Sequence, residues 1–79
     1  MDLRDIFASN LRRLRNEREL SQEELADAAD INRTYLSKLE TGVTFVGLEI
    51  LGKLATALGV QPTEFLQSSK KGKRRSGTT

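Results

Sequence analysis

Apolar residues in this chain recur at intervals of three and four in successive blocks, and each block is bounded by residues that start or stop helices. Leu3, Phe7, Leu11 and Leu14 form one stripe, widened by Ile6, so a first helix is expected from a cap at Asp2 to about Arg18. Leu20 then sits just ahead of Ser21 and Glu24, the S-x-x-E pattern of a capping box, and is placed to pack there as a staple. Leu25, Ala26 and Ala29 supply the small apolar face of a second helix, with Asp30 and Ile31 as the turn and Asn32 as the next cap. In the third helix Leu36 and Leu39 point inward, and Gly42 closes it with the positive-φ freedom favoured just past a helix end. After a connector, Val43 to Val46, Gly47 stands near the cap of a fourth helix in which Leu48, Leu51, Leu54, Ala55 and Leu58 follow helical spacing and which stops at Gly59. Pro62 opens a last short turn or helix, Thr63 to about Gln67, bearing Phe65 and Leu66. No segment has the character of a strand. The expectation is an all-α, compact five-helix domain over residues 1–67.

The second and third blocks form two short helices joined by a tight turn. A helix as short as the third cannot bury both faces, so its polar side meets water or a ligand. That side carries Arg33, Thr34, Ser37 and Lys38, groups able to hydrogen-bond base edges in a DNA major groove. A plain solvated face is the alternative that these four residues alone leave open.

Composition narrows the chemistry. The 79 residues include no cysteine and no histidine, which removes thiolate sites, histidine-based acid–base catalysis and the usual zinc sites. Glu23, Glu24 and Asp27 cluster in sequence, but are read as complements to the helix dipole and a solvated face, with no metal and no cofactor expected. No coherent nucleophile–base set is present, so the chain is not expected to be an enzyme. No apolar run approaches the roughly 20 residues of a membrane helix, and MDLRDIF lacks signal-peptide character, so a cytoplasmic protein is expected. The overall charge of +2 hides an asymmetry: residues 1–69 hold eight basic side chains against all eleven acidic ones, a net of −3. The other five positive charges, Lys70, Lys71, Lys73, Arg74 and Arg75, lie in a stretch, 68–79, with no apolar residue. That stretch is read as a tail, disordered on its own, that either follows a DNA backbone or merely solubilises.

The punctuation LRRLRNERELSQEELA, then NRTYLSKLETG, then LGKLATALGV followed by a proline-led helix, resembles the phage-repressor-like helix-turn-helix domain of the Cro or XRE type. The resemblance spans roughly Leu11 to Leu66 and implies a lambda-repressor-like fold with the helix-turn-helix at helices 2 and 3. It implies that the third helix, about 32–41, lies in the major groove while the second crosses the backbone. Arg33, Thr34 and Ser37 fall at matching base-facing positions, Arg33 suited to guanine O6 and N7. Lys38 falls near the groove edge or phosphates, and Gln22, opening the second helix, matches a phosphate contact. Tyr35 is assigned either to the DNA backbone or to packing against the second helix. Arg15 and Glu40 match positions that pair, tying the first helix to the third. Glu19 and Asp30 stand where family members commonly have glycine. The stretch after Gly42 lacks the basic residues, proline and serine cap common in the family, and leaves Phe45 to pack in the core, meet a partner or lie near DNA. Arg12, Arg13 and Arg18 are read as a solvated face, with an approach of one end to phosphate as the alternative.

The resemblance extends to restriction–modification controllers and to small phage or plasmid repressors. It implies a transcriptional regulator binding double-stranded DNA as a homodimer on half-sites about one helical turn apart. Val60, Phe65 and Leu66 are the expected dimer surface, being apolar and placed after the DNA-reading unit. Control is expected through concentration, dimerisation or a regulatory protein partner. The competing reading is an antitoxin or adaptor module, which a free Phe45 or Phe65 patch would favour.

Overall fold

A computed structural model describes residues 2–67; the expected basic tail, 68–79, lies outside the described residues. Four α-helices run α1 (Leu3–Glu17), α2 (Gln22–Ala29), α3 (Arg33–Glu40) and α4 (Leu48–Leu58), followed by a 3-10 turn, Pro62–Leu66. The fifth helix is thus corrected to a 3-10 turn. Pro62 brings no N–H, the segment has five residues, and its backbone closes i to i+3, with Glu64 N–H donating to the Gln61 carbonyl at 3.0 Å.

The expected caps are made. Asp2 accepts from the Arg4 backbone N–H at 2.9 Å and from the Arg4 guanidinium at 3.0 Å. These hydrogen bonds from Arg4, side chain first, hold the Asp2 carboxyl below its ordinary pKa. Ser21 Oγ accepts from Glu24 N–H at 3.0 Å while Glu24 returns a bond to Ser21 N–H at 2.8 Å, completing the capping box. Asn32 Oδ1 accepts from Thr34 and Tyr35 N–H at 2.7 and 3.3 Å.

α1 packs against α3 and the C-terminal turn, and α2 packs against α3 and α4. The shared core comprises Phe7, Leu11, Leu14, Leu25, Leu36, Leu39, Leu54, Leu58 and Phe65, with Ala26, Ala29 and Ala55 where the helices approach closely. Leu48, although in phase with Leu51 and Ala55, begins α4 at the edge of the domain and is 85% exposed. Phe65 departs from its expected place on the dimer surface. It is fully buried against Phe7, with ring centroids 5.2 Å apart, and offers nothing to a dimer surface. Asn10, also buried, explains why the chain returns there: its Nδ2 donates to the carbonyls of Phe65 and Gln67 at 2.8 and 2.7 Å, clamping the last turn onto α1.

Left-handed residues end the helices. Gly42 (φ 76°) is required twice over, since a Cβ there would also stand 2.7 Å from Asp5 Oδ1. Glu19 (φ 56°) and Asp30 (φ 57°) adopt this region without being glycine. Asp30 belongs to a residue type that tolerates it; Glu19 does not. Relief of the Cβ clash, less the added freedom of the unfolded chain, predicts that Glu19→Gly stabilises the fold by about 0.5–1 kcal/mol. A urea midpoint that is unchanged or lower would show that the turn carries no such strain.

Candidate nucleic-acid interface

α3 divides sharply into two sides. Leu36, Leu39 and Glu40 are buried, while Arg33, Thr34 and Lys38 are exposed and Ser37 is half-buried beside them. Positions 33, 34, 37 and 38 share one helical face, so the four polar groups singled out in the sequence are presented together. Among the described residues, the Arg33 and Lys38 side chains make no ion pair and no hydrogen bond within the protein.

The arginines of α1 contrast with this. Arg15 and Glu40 pair as expected, Nε to Oε2 at 2.6 Å and Nη2 to Oε1 at 3.0 Å. Arg15 Nη1 also donates to the Leu20 carbonyl at 2.7 Å, tying down the linker before α2. Arg12 and Arg18 are not simply solvated: Arg12 donates to the Glu40 carbonyl at the C-terminal end of α3, and Arg18 to the Leu58 carbonyl at the end of α4. Each cation thereby satisfies a carbonyl left open by a helix end. Arg13 lies nearer the expectation, on an exposed bond to Glu17 at 3.2 Å, and also donates to Asn10 Oδ1 at 3.1 Å.

Gln22, the first residue of α2, is half-buried, and its Nε2 donates to Glu40 Oε1 at 3.1 Å. A carboxylate only accepts, so the NH2 end of the amide must face Glu40, and one of its two N–H groups remains free. Glu40 therefore joins α1, α2 and α3 through a single carboxylate that is 2% exposed.

The helix-turn-helix family profile matches residues 11–65, a span that takes in this whole arrangement. The chain belongs to the helix-turn-helix family. It is similar to the control protein C.BamHI of Bacillus amyloliquefaciens, 39% identical over 66 residues that make up 82% of each chain. Among solved structures it resembles the restriction-modification controller protein C.AhdI from Aeromonas hydrophila, with TM-score 0.76 and 40% identity, covering 78% of this chain and 94% of that one. It also resembles a hypothetical transcription factor, NHTF, from Neisseria, with TM-score 0.82 and 38% identity over 86% of this chain and 78% of that one.

Other expected site residues of this helix-turn-helix chain fall into different surroundings. Tyr35 is half-buried on the core, and its hydroxyl donates to the Phe45 carbonyl at 3.3 Å, so it links α3 to the loop that follows. Val60 is half-buried against the core on the side of α4 facing Gly52 and Thr56, whereas Leu66 opens onto a separate apolar hollow. The expected dimer trio is thus not one patch. Phe45 does not fill the core: its ring is 67% exposed, with the Arg4 guanidinium carbon 4.7 Å from its centre. Asn10 was legible only as a polar residue on an apolar stripe, three positions after Phe7. Arg12 and Arg18 carried no local signal, because their acceptors lie 28 and 40 residues away. No helix among the described residues is long and apolar enough to cross a membrane.

Proposed function

We propose that this helix-turn-helix chain is a transcriptional regulator that reads duplex DNA as a homodimer on paired half-sites, with α3 in the major groove. The observation that carries the reading is the outer face of α3. Its two cations have no partner within the described protein, whereas Arg4, Arg12, Arg13, Arg15 and Arg18 are all engaged. Arg33 reads a guanine through O6 and N7, with Thr34 and Ser37 on neighbouring base edges. Lys38 meets phosphate. So does Gln22, whose amide is held by Glu40 through one N–H and presents the other beside the N-terminus of α2. Tyr35, with its hydroxyl on the Phe45 carbonyl, acts by holding the loop after α3. The similarity to two controller proteins supports gene regulation as the setting, in the cytoplasm of a prokaryotic cell, and the role is binding, not turnover.

The test is selection from a random duplex library at a stated salt concentration, followed by Arg33→Ala. The variant should fold normally and lose about 1–3 kcal/mol of discrimination at one base position in each half-site. Equal weakening on every sequence would remove Arg33 from base reading. An adaptor or antitoxin role has one observation in its favour, the exposed Phe45 ring. Uniform recovery of the library by a folded protein would point to that role or to nonspecific binding through the basic stretch 68–79.

A further inference from the structure

We infer that Asn32, the cap of α3, is a further specificity-determining residue: a donor-only reader that selects a keto base, guanine or thymine, beside the base read by Arg33. The inference rests on the reading of duplex DNA by α3 and deepens it by naming a second class of base. Asn32 is exposed and stands directly before Arg33 and Thr34, at the end of α3 whose first residues reach base edges when such a helix enters the groove. Its backbone and its side chain are both held. The Ile31 N–H just before it donates to the Ala26 carbonyl at 2.9 Å, and the Asn32 carbonyl accepts from Leu36 N–H at 3.0 Å. Asn32 Oδ1 accepts from Thr34 N–H at 2.7 Å and from Tyr35 N–H at 3.3 Å.

Those two side-chain bonds decide what the amide can offer. A backbone N–H only donates, so the oxygen end must face the helix and the NH2 end must face away from it. Both lone pairs of Oδ1 are then taken, and among the described residues Nδ2 makes no hydrogen bond. The cap also closes two of the N–H groups that a bare helix start would offer to an anion, so the selectivity lies in the side-chain amine and not in the helix end. An unconstrained asparagine reads adenine bidentately, accepting from N6 while donating to N7. Asn32 has lost the acceptor half of that pairing and keeps two donors. In the major groove donors are met by O6 and N7 of guanine or O4 of thymine, whereas cytosine N4 and adenine N6 present hydrogens of their own. Adenine N7 still accepts, but its neighbour N6 opposes the second donor. Two opposed donors are left unpaired, which costs more than one bond contributes. The orientation is fixed before contact, so little side-chain freedom is lost on binding.

The test is selection from the random duplex library with the full chain, repeated for Asn32→Ser and Asn32→Asp at one salt concentration. Asparagine, serine and aspartate cap helices almost equally well, so thermal unfolding followed by circular dichroism should match the wild type in both. On the strand it faces, the wild type should favour guanine or thymine over cytosine and adenine by about 3–10-fold, the factor of a single hydrogen bond. That preference should fall beside the position that Arg33→Ala relaxes. Asn32→Ser keeps the cap but loses the NH2 group, so the preference should vanish while the position read by Arg33 stays. Asn32→Asp caps with one oxygen and presents an acceptor with the other, so the preference should turn to cytosine or adenine. Its added charge weakens binding generally near phosphates, so this variant is read by preference and not by affinity. Weakening by Asn32→Ser on every sequence alike would make Nδ2 a phosphate contact and overturn the assignment. Unchanged selection in both variants would reduce Asn32 to a cap and overturn it as well. A wild type that enriches no sequence would sink the DNA reading itself, whereas an enriched motif indifferent to Asn32 leaves that reading standing and removes only the role of Asn32.

Discussion

Glu40→Ala should destabilise the domain by about 3–5 kcal/mol, the loss expected when one member of a buried ion pair is removed. Glu40 is 2% exposed and accepts from Arg15 twice and from Gln22 once. Its removal leaves the largely buried Arg15 guanidinium without its counter-charge and frees the Gln22 amide. For a small domain such a loss is a large share of the whole stability, about 5–15 kcal/mol. The double replacement Arg15→Met with Glu40→Leu separates charge from shape: it removes both desolvation penalties and should recover most of the loss. Urea unfolding with an unchanged m-value is the measurement. A Glu40→Ala midpoint close to wild type would show that the pair does not bind α1 to α3 energetically. The same double variant isolates Gln22. Gln22→Ala should weaken DNA binding in the wild-type background and have little effect in the double variant, where the amide has already lost its anchor.

Phe65→Ala should cost a similar amount, about 3–5 kcal/mol, through lost burial and the cavity left behind. Phe65 has no exposed surface and lies on Phe7 in the core shared with Leu11, Leu14 and Leu58. Its backbone carbonyl is also one of the two that Asn10 holds. Truncation therefore empties the space between α1 and the C-terminal turn, while the clamp itself stays chemically intact. Thermal and urea unfolding of the variant, with sedimentation on any folded fraction, tests the assignment. A stable domain with impaired dimerisation would return Phe65 to the dimer surface, and loss of the fold itself places it in the core. Neighbouring Leu66 gives the contrast: it is half exposed onto the apolar hollow, and its replacement by a polar residue should act on association far more than on folding.

The helix-turn-helix unit was legible because its signals are local. The Ser21–Glu24 box, the Asn32 cap and Gly42 each act within a few residues, and the split of α3 into Leu36–Leu39 and Arg33–Thr34–Ser37–Lys38 follows from helical geometry alone. The pairing of Arg15 with Glu40 came from resemblance, since nothing in the spacing of two residues 25 apart implies contact. Arg12, Arg18 and Asn10 were beyond reach for the same reason: each satisfies a backbone carbonyl presented by a distant helix end or turn, and backbone acceptors leave no mark in a sequence. The apolar residues of the second half show the limit most plainly. Leu48 and Phe65 are both large and apolar at positions that suit either side of a helix or turn, yet one is in water and the other in the core.

What the amino-acid sequence determined by itself is the set of helices, their caps and the residues offered on the outer face of α3, because these depend on side chains interacting with their own backbone neighbourhood. What only the tertiary structure decided is which apolar groups are covered, which arginines are already engaged and where an uncovered hollow remains. Burial and long-range hydrogen bonding depend on which elements meet, and the meeting of α1 with the Pro62–Leu66 turn is set by packing across more than fifty residues.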